Sequence, residues 1–220
     1  MSQNNQTVSS GTKKSFFQEN EKSITFIVVG IIVLILLYIG YQRLYLAPRA
    51  EKAANQMYHA ENYATIDSLQ KKAIEGDGAF PGFKEIADEY SNTKSANIAN
   101  AYLGGLYLRQ RNFKEAINYL EQYTETGSEI LDPLVIGLLG DAYSEEKIYE
   151  KAANYYKKAA DKSKNIYTTP LFLKKLGLVY EELQDYKNAE STYQRIRDEY
   201  PQSSESTTID SFLARVQAKQ

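Results

Sequence analysis

The stretch LGLVYEELQDYKNAESTY, residues 176–193, decides the fold of this chain because its pattern occurs three times. Each copy has a Leu-Gly pair, a Tyr three residues after the Gly, an Ala nine residues after that Tyr, and a large side chain four residues later. The copies begin at Leu103, Leu139 and Leu176, at offsets of 36 and then 37 residues. A period in the thirties is typical of stacked helical hairpins, which bury their apolar faces only against one another. The pattern therefore predicts an all-α solenoid that offers a surface to partners.

The same residues resemble the tetratricopeptide repeat family, whose signature combines the Leu-Gly pair, the Tyr, the Ala and a closing Pro. The third copy, Leu173 to Pro201, is the most similar. Two departures are the absence of Trp from the chain and a period longer than the usual ~34 residues. The resemblance implies three repeats over residues 96–203, arranged as a superhelix of helical hairpins.

The glycines of the three Leu-Gly pairs predict close contacts between helices. Glycine inside a helix costs about 0.5–1 kcal/mol relative to alanine, so a packing reason is expected for each. We expect the alanine of each copy to be the small residue of the facing helix. The register also predicts helix breaks near Asn112, Lys147 and Gln184. The glycines are Gly104, Gly140 and Gly177, and the alanines are Ala116, Ala152 and Ala189.

Two flanking regions extend the stack. Residues 48–95 are expected to form one long helix, from Pro48 to about Glu75, followed by a degenerate first repeat. The segment from Phe83 to Tyr90 matches the segment from Tyr193 to Tyr200 at a shift of 110 residues, about three repeats. Residues 204–220 carry apolar residues at helical spacing and are expected to form a capping helix. These apolar residues are Ile209, Phe212, Leu213 and Val216.

The segment Ile24–Tyr41 contains eighteen residues without a charge, which as a helix would rise roughly 27 Å, close to the thickness of a bilayer core. We interpret residues 23–46 as a single transmembrane signal-anchor. The alternative is a cleavable signal peptide, but the apolar run is long and no small-residue cleavage site follows it. Residues 1–22 are rich in Ser, Asn, Gln and Thr and are expected to be disordered.

Basic residues do not fix the orientation of the span, because three precede it and three follow it closely. A short tail inside and a long C-terminal domain outside is the usual arrangement, which predicts a periplasmic domain at the bacterial inner membrane. Residues 48–220 hold 22 basic and 26 acidic residues, and this mildly acidic balance argues against nucleic acid. The chain has no cysteine, and His59 is its one histidine. We therefore expect no metal site, no cofactor, no small-molecule substrate and no enzymatic activity.

In the tetratricopeptide family the first helix of each hairpin lines a concave groove, and the resemblance implies a partner-binding groove here. Most of the matching positions are apolar, which favours a hydrophobic segment or a partner helix and disfavours a clamp for a terminal carboxylate. The alternative, that several of these leucines pack inside the superhelix, stays open at this point. The candidate residues are Ile98, Ala101, Tyr102, Gly105, Leu134, Leu138, Asp141, Leu171, Lys175 and Leu178.

The layout of tail, anchor and helical repeat domain is similar to that of the membrane-anchored periplasmic tetratricopeptide family that accompanies the bacterial Sec translocon. That resemblance implies a chaperone-like scaffold beside emerging secretory chains. Its expected partners are translocon subunits, a membrane-anchored chaperone or unfolded secretory chains, with the membrane bound through residues 24–41. The alternative is a scaffold for envelope assembly or cell division that binds no client.

Overall fold

A computed structural model of the protein describes residues 20–220, in which every regular element is a helix. The predicted all-α fold of stacked helical hairpins is therefore confirmed. The prediction of a disordered tail falls mainly on residues 1–19, which lie outside the described residues. The chain divides into two compact units, residues 1–48 and residues 49–220.

The first unit contains α1, Glu21–Gly40, followed by a π-helical turn, Tyr41–Leu46. Large apolar side chains from Phe26 to Ile39 lie exposed along α1. By length and composition, one helical stretch of the described residues is long and apolar enough to cross a membrane. In the π-helical turn the N–H of Ala47 bonds to the carbonyl of Gln42, five residues back. Pro48 comes next, and a proline ring crowds the carbonyl four residues before it in a regular α-helix.

One long helix follows, then two short ones, and the later helices pair into hairpins. Their bounds are α2 Ala47–Ala64, α3 Gln70–Glu75, α4 Phe83–Glu89, α5 Lys94–Arg109, α6 Phe113–Glu121, α7 Leu131–Glu145, α8 Tyr149–Lys162, α9 Thr168–Glu182, α10 Tyr186–Glu199 and α11 Ser206–Gln217.

The predicted long helix from Pro48 to Glu75 is wrong, because α2 ends at Ala64. Thr65 bonds through its hydroxyl to the carbonyl of Asn62, and Ile66 is extended, with φ −114° and ψ 115°. Both residues are β-branched, and a hydroxyl that bonds to the local backbone competes with the helix. A 3₁₀ turn, Asp67–Leu69, then leads into the short α3.

The three hairpin turns share one backbone conformation, and the predicted helix breaks are confirmed. Each turn contains one residue in the left-handed region: Arg111 at φ 59°, Lys147 at φ 60° and Gln184 at φ 58°. The next N–H in each turn bonds back to the repeat tyrosine five residues earlier, at 2.8–2.9 Å. This closure satisfies carbonyls that the end of the first helix leaves open.

The repeat glycines lie against large side chains of the facing helix, not against its alanines as we expected. A Cβ added to Gly104 would lie within 3 Å of Leu120, one at Gly140 would meet the Tyr156 ring, and one at Gly177 would meet Tyr193. The alanines are fully buried one turn away. The missing side chain therefore makes room for a ring or a leucine, which brings the two helices of a hairpin together.

The link between the first and second hairpins is held by a buried carboxylate that the sequence pattern did not indicate. Asp132 accepts hydrogen bonds from the Tyr123 hydroxyl at 2.7 Å, the Thr126 N–H at 2.9 Å and the Gly127 N–H at 2.8 Å. Burial opposes ionisation of Asp132, but these hydrogen bonds hold its pKa below the ordinary value. The aspartate thereby fixes the loop that leads into α7.

The helix α11 closes the described part of the stack and continues the repeat register. Ile209, Leu213 and Val216 are buried in the same core as the last hairpin. Each lies 37 residues after a buried residue of α9, namely Phe172, Leu176 and Val179. The cap therefore occupies the place of the first helix of a further hairpin.

Candidate functional site

An open groove of about 870 Å³ lies between the first helices of two neighbouring hairpins, α5 and α7. Both helices present one face to it, at the three- and four-residue spacing that puts side chains on a common side. We call it the α5–α7 groove. The helix α5 contributes Ile98, Ala101, Tyr102, Gly105, Leu108 and Arg109, and α7 contributes Leu131, Leu134, Val135, Leu138, Asp141 and Glu145.

Seven of the ten predicted site residues line this groove: Ile98, Ala101, Tyr102, Gly105, Leu134, Leu138 and Asp141. The side chain of Leu134 is 36% exposed, and that of Tyr102 is 37% exposed. Leu138 lines the groove but is half-buried and also packs against the core. The groove thus combines apolar side chains that are accessible with others that support the fold.

The remaining predicted residues lie further along the stack. Leu171 is half-buried and packs against the core of the later hairpins. Lys175 and Leu178 line a smaller neighbouring cavity of about 460 Å³, which shares Asp141 and Glu145 with the α5–α7 groove. The groove that we predicted as one surface is therefore an apolar section followed by a more polar one.

Asp141 and Lys175 pair with each other between two hairpins. The Lys175 ammonium lies 2.6 and 2.8 Å from the two carboxylate oxygens of Asp141, and the Tyr156 hydroxyl donates to the same carboxylate at 2.7 Å. Burial and the neighbouring Asp141 charge raise the pKa of Tyr156 well above its ordinary value. The two polar residues that we predicted for the groove therefore neutralise each other and join α7 to α9.

Arginines at one end of the α5–α7 groove differ in their pairing. Arg111 lies 3.5 Å from Glu145 across the hairpins. Arg109 is exposed at the rim, and within residues 20–220 it has no acidic partner. The rim of the groove therefore carries one positive charge that other described side chains do not balance. Sequence analysis missed both arginines, although Arg109 continues the spacing of Tyr102 and Gly105 along α5.

The wall of the groove at Tyr102 is held in place by an aromatic stack. The Tyr102 ring lies parallel to the buried Phe83 ring, with centroids 4.6 Å apart. Burial and the nearby Glu61 charge raise the pKa of Tyr102. The degenerate first repeat, through Phe83, thus supports one side of the groove.

A second, polar cavity of about 600 Å³ lies near the start of α5. Asn100 lines it and occupies the position that holds the buried Ile136 and Leu173 in the later copies. The side-chain amide oxygen of Asn100 is buried and has no hydrogen-bond partner among residues 20–220. Asn97 bonds through both ends of its amide to the backbone of Thr124, at 2.7 Å each, and thereby ties α5 to the loop after α6.

Groups that could support catalysis are sparse in the described part of the chain. Within residues 20–220, no cluster of three or more His, Asp or Glu side chains is placed to hold a metal ion. The imidazole of His59 stacks on the Phe80 ring, with centroids 3.5 Å apart. The α5–α7 groove itself is formed mainly by apolar side chains on two adjoining helices.

Two segments of the chain match models of a known repeat. Residues 135–161 and residues 175–203 each match a tetratricopeptide repeat model. These two matches support a tetratricopeptide repeat protein. These segments correspond to the second hairpin, α7–α8, and the third, α9–α10. Repeats of this kind form protein-interaction surfaces, so they indicate protein partners.

Among solved structures, the chain is similar to the crystal structure of BtubC (BKLC) from P. vanneervenii. The sequences are 15% identical, the TM-score is 0.44, and the match covers 79% of this chain. It covers 66% of that chain, just under two thirds of its length. None of the curated proteins matches this chain significantly.

Proposed function

We propose that this protein is a membrane-anchored scaffold that binds a protein partner in the α5–α7 groove. The observation that carries the proposal is the groove itself: about 870 Å³ of open space, lined by apolar side chains of two adjoining repeats. Contiguous exposed apolar surface of this kind is unusual on a monomer unless it serves an interaction. Partner helices and extended segments both use such grooves.

The anchor in this proposal is α1, whose exposed apolar side chains would face lipid. The repeat domain would then stay close to a membrane, in our proposal the bacterial inner membrane, with the domain in the periplasm. A reporter fused after Gln220 should be active only outside the cytoplasm. Activity of a cytoplasmic reporter at the same position would overturn this orientation.

The finer proposal is an ancillary role beside the Sec translocon, supported by the shared layout of a short tail, one anchor and a small helical repeat domain. The partners would be translocon subunits, a membrane-anchored chaperone or unfolded secretory chains. The alternative is a scaffold for envelope assembly or cell division without client binding. We propose no enzymatic role, because tetratricopeptide proteins generally act as scaffolds.

Site-specific crosslinking can test the docking proposal in intact membranes. A photo-crosslinking side chain at Leu134 should capture a membrane-associated protein. The same group at Ile166, which is exposed at 48% but lies outside the groove, should not. Leu134→Glu should abolish co-purification, while Ile166→Glu preserves it, because a charge in the groove opposes burial of an apolar partner.

The identity of the captured protein separates the two candidate roles. Recovery of translocon subunits or a membrane-anchored chaperone would support the translocon role, whereas recovery of a division or envelope complex would support the alternative. Equal capture from Leu134 and Ile166 would contradict docking in the groove.

A further inference from the structure

Gly105 is the one glycine inside the helices of residues 49–220 that no internal neighbour explains. The other four are Gly104, Gly137, Gly140 and Gly177, and at each an added Cβ would lie within 3 Å of a leucine or an aromatic ring. At Gly105 the nearest atom would be a methyl carbon of Leu138, at 3.9 Å, and no other atom would lie within 4 Å. The fold has room for a side chain at this position and has none.

The missing side chain opens the middle of the α5–α7 groove. Glycine is among the poorest helix formers, so its presence mid-helix calls for a close approach by another group. Gly105 lines the groove together with the small Ala101 on the same helix and with Leu134 and Leu138 on α7. We call the open space beside Gly105, next to these apolar side chains, the hole at Gly105.

Arg109 lies one helical turn beyond Gly105 and therefore on the same face of α5. Among the described residues it is the rim charge that has no opposite partner, because Arg111 pairs with Glu145 and Asp141 pairs with Lys175. A ligand that fills the hole would bring its neighbouring groups to Arg109. Charge complementarity then favours an acidic group at that point.

We propose that the hole at Gly105 receives one bulky apolar side chain of a protein partner, and that a carboxylate about 6 Å further along the same segment pairs with Arg109. The partner segment is therefore apolar, and it carries an acidic residue about 6 Å from the side chain that fills the hole. This inference rests on the proposed docking function and specifies the partner's chemistry. On binding, the partner's side chain would contact the α5 backbone at Gly105, which no side chain covers.

Peptide selection on the full-length chain in lipid nanodiscs tests this inference. The probe is a phage-displayed library of random twelve-residue peptides, selected in parallel on the wild type and on Arg109→Glu. On the wild type we expect enrichment of peptides with a large apolar residue and an Asp or Glu two to four positions away. On Arg109→Glu we expect Lys or Arg at the acidic position, because the rim charge is reversed.

The hole itself is tested with the selected peptides and two variants. Gly105→Leu should lower their affinity about tenfold or more, because its side chain fills the hole. Ser211→Leu, an added leucine at an exposed position of α11, should leave the affinity unchanged. Gly105→Ala should bind more weakly than the wild type yet unfold at a higher temperature, which separates binding from folding.

Three different outcomes would each contradict a different step of the proposal. If no peptide is enriched and Leu134→Glu changes nothing, the docking function itself fails. If peptides bind and require Leu134 but show no acidic preference that Arg109→Glu reverses, the assignment of Arg109 fails. If Gly105→Leu binds as tightly as the wild type, the hole has no occupant, and the proposed partner chemistry is wrong.

Discussion

Gly140→Ala should destabilise the repeat domain even though alanine is the better helix former. A Cβ at this position would lie 2.6 Å from two atoms of the Tyr156 ring, so the ring would have to move by about 0.8 Å to reach ordinary contact. The ring is only 4% exposed, and its hydroxyl donates to Asp141, which also pairs with Lys175. A shift of the ring therefore strains a hydrogen bond between α7 and α8, and it disturbs the carboxylate that pairs with Lys175 of the next hairpin.

The expected size of the effect follows from one stabilising and two destabilising contributions to the free energy of unfolding. Alanine gains about 0.5–1 kcal/mol in helix propensity, whereas forcing an extra carbon into a well-packed core costs about 1–3 kcal/mol and sometimes more. The loss of the hydroxyl hydrogen bond adds about 1 kcal/mol. We expect a net loss of about 1–3 kcal/mol, which for a chain of this size lowers the melting temperature by roughly 2–12 °C.

Urea unfolding of the full-length chain in a mild detergent, followed by far-UV circular dichroism, measures this loss. The matched control is Gly105→Ala, the same substitution in a neighbouring helix with open space around it, which should gain about 0.5–1 kcal/mol. Tyr156→Leu should cost less in the Gly140→Ala background than alone, because the ring is then no longer compressed. Equal or greater stability of Gly140→Ala than of the wild type would refute the close approach.

Three further predictions concern the anchor and two titrating side chains. Deletion of residues 1–42 should yield a protein that stays soluble without detergent and keeps its helical circular dichroism. Persistent aggregation of this variant would contradict the prediction that the repeat domain folds without the anchor. Asp132→Asn should lower the free energy of unfolding by about 1–3 kcal/mol at pH 7. Because the pKa of Asp132 is depressed in the fold, this difference should shrink as the pH falls below about 4, which acid titration at fixed urea measures. Burial and Glu121 raise the pKa of Tyr143 to about 12, so the fold should lose stability between about pH 10 and 12, and Tyr143→Phe should reduce this loss. An unchanged alkaline transition in Tyr143→Phe would contradict the assignment.

Sequence periodicity predicted the hairpins well because each repeat position recurs in the same environment. The Leu-Gly pairs located the first helices and the helix breaks within a residue or two. The assignment of the facing residue was less accurate, since the large side chain at Leu120, Tyr156 or Tyr193, not the alanine, faces each glycine. A pattern shows which positions recur but not which of two neighbouring positions points at the glycine.

Features that do not recur could not be predicted in this way. Gly137 approaches the Phe172 ring between two hairpins, and neither residue keeps its type in the other copies. The end of α2 at Ala64 was missed because helical spacing continued past two β-branched residues. The ion pair between Asp141 and Lys175 depends on how successive hairpins are rotated, which no single repeat encodes.

The groove was predicted in part. The resemblance to the tetratricopeptide family implied that Ile98, Tyr102, Leu134 and Leu138 face the groove, and helical spacing puts the residues of each helix on one face. The same spacing did not distinguish accessible leucines from those shared with the core. It also gave no weight to Arg109, whose importance comes from the absence of an acidic neighbour among the described residues.

The helix α11 bears on how such a protein can change its length. At Ala214, 37 residues after Gly177, the chain has a methyl group in place of the bare glycine backbone, and this position is exposed because no outer helix covers it in the described structure. The inner face of α11 nevertheless carries three buried apolar residues at the positions that match those of α9. Duplication of a 37-residue unit ahead of α11 would therefore recreate contacts that already exist at both junctions. The domain could therefore lengthen one hairpin at a time, because each added copy would already carry the glycine at the position of Gly177, and α11 would keep Ala214.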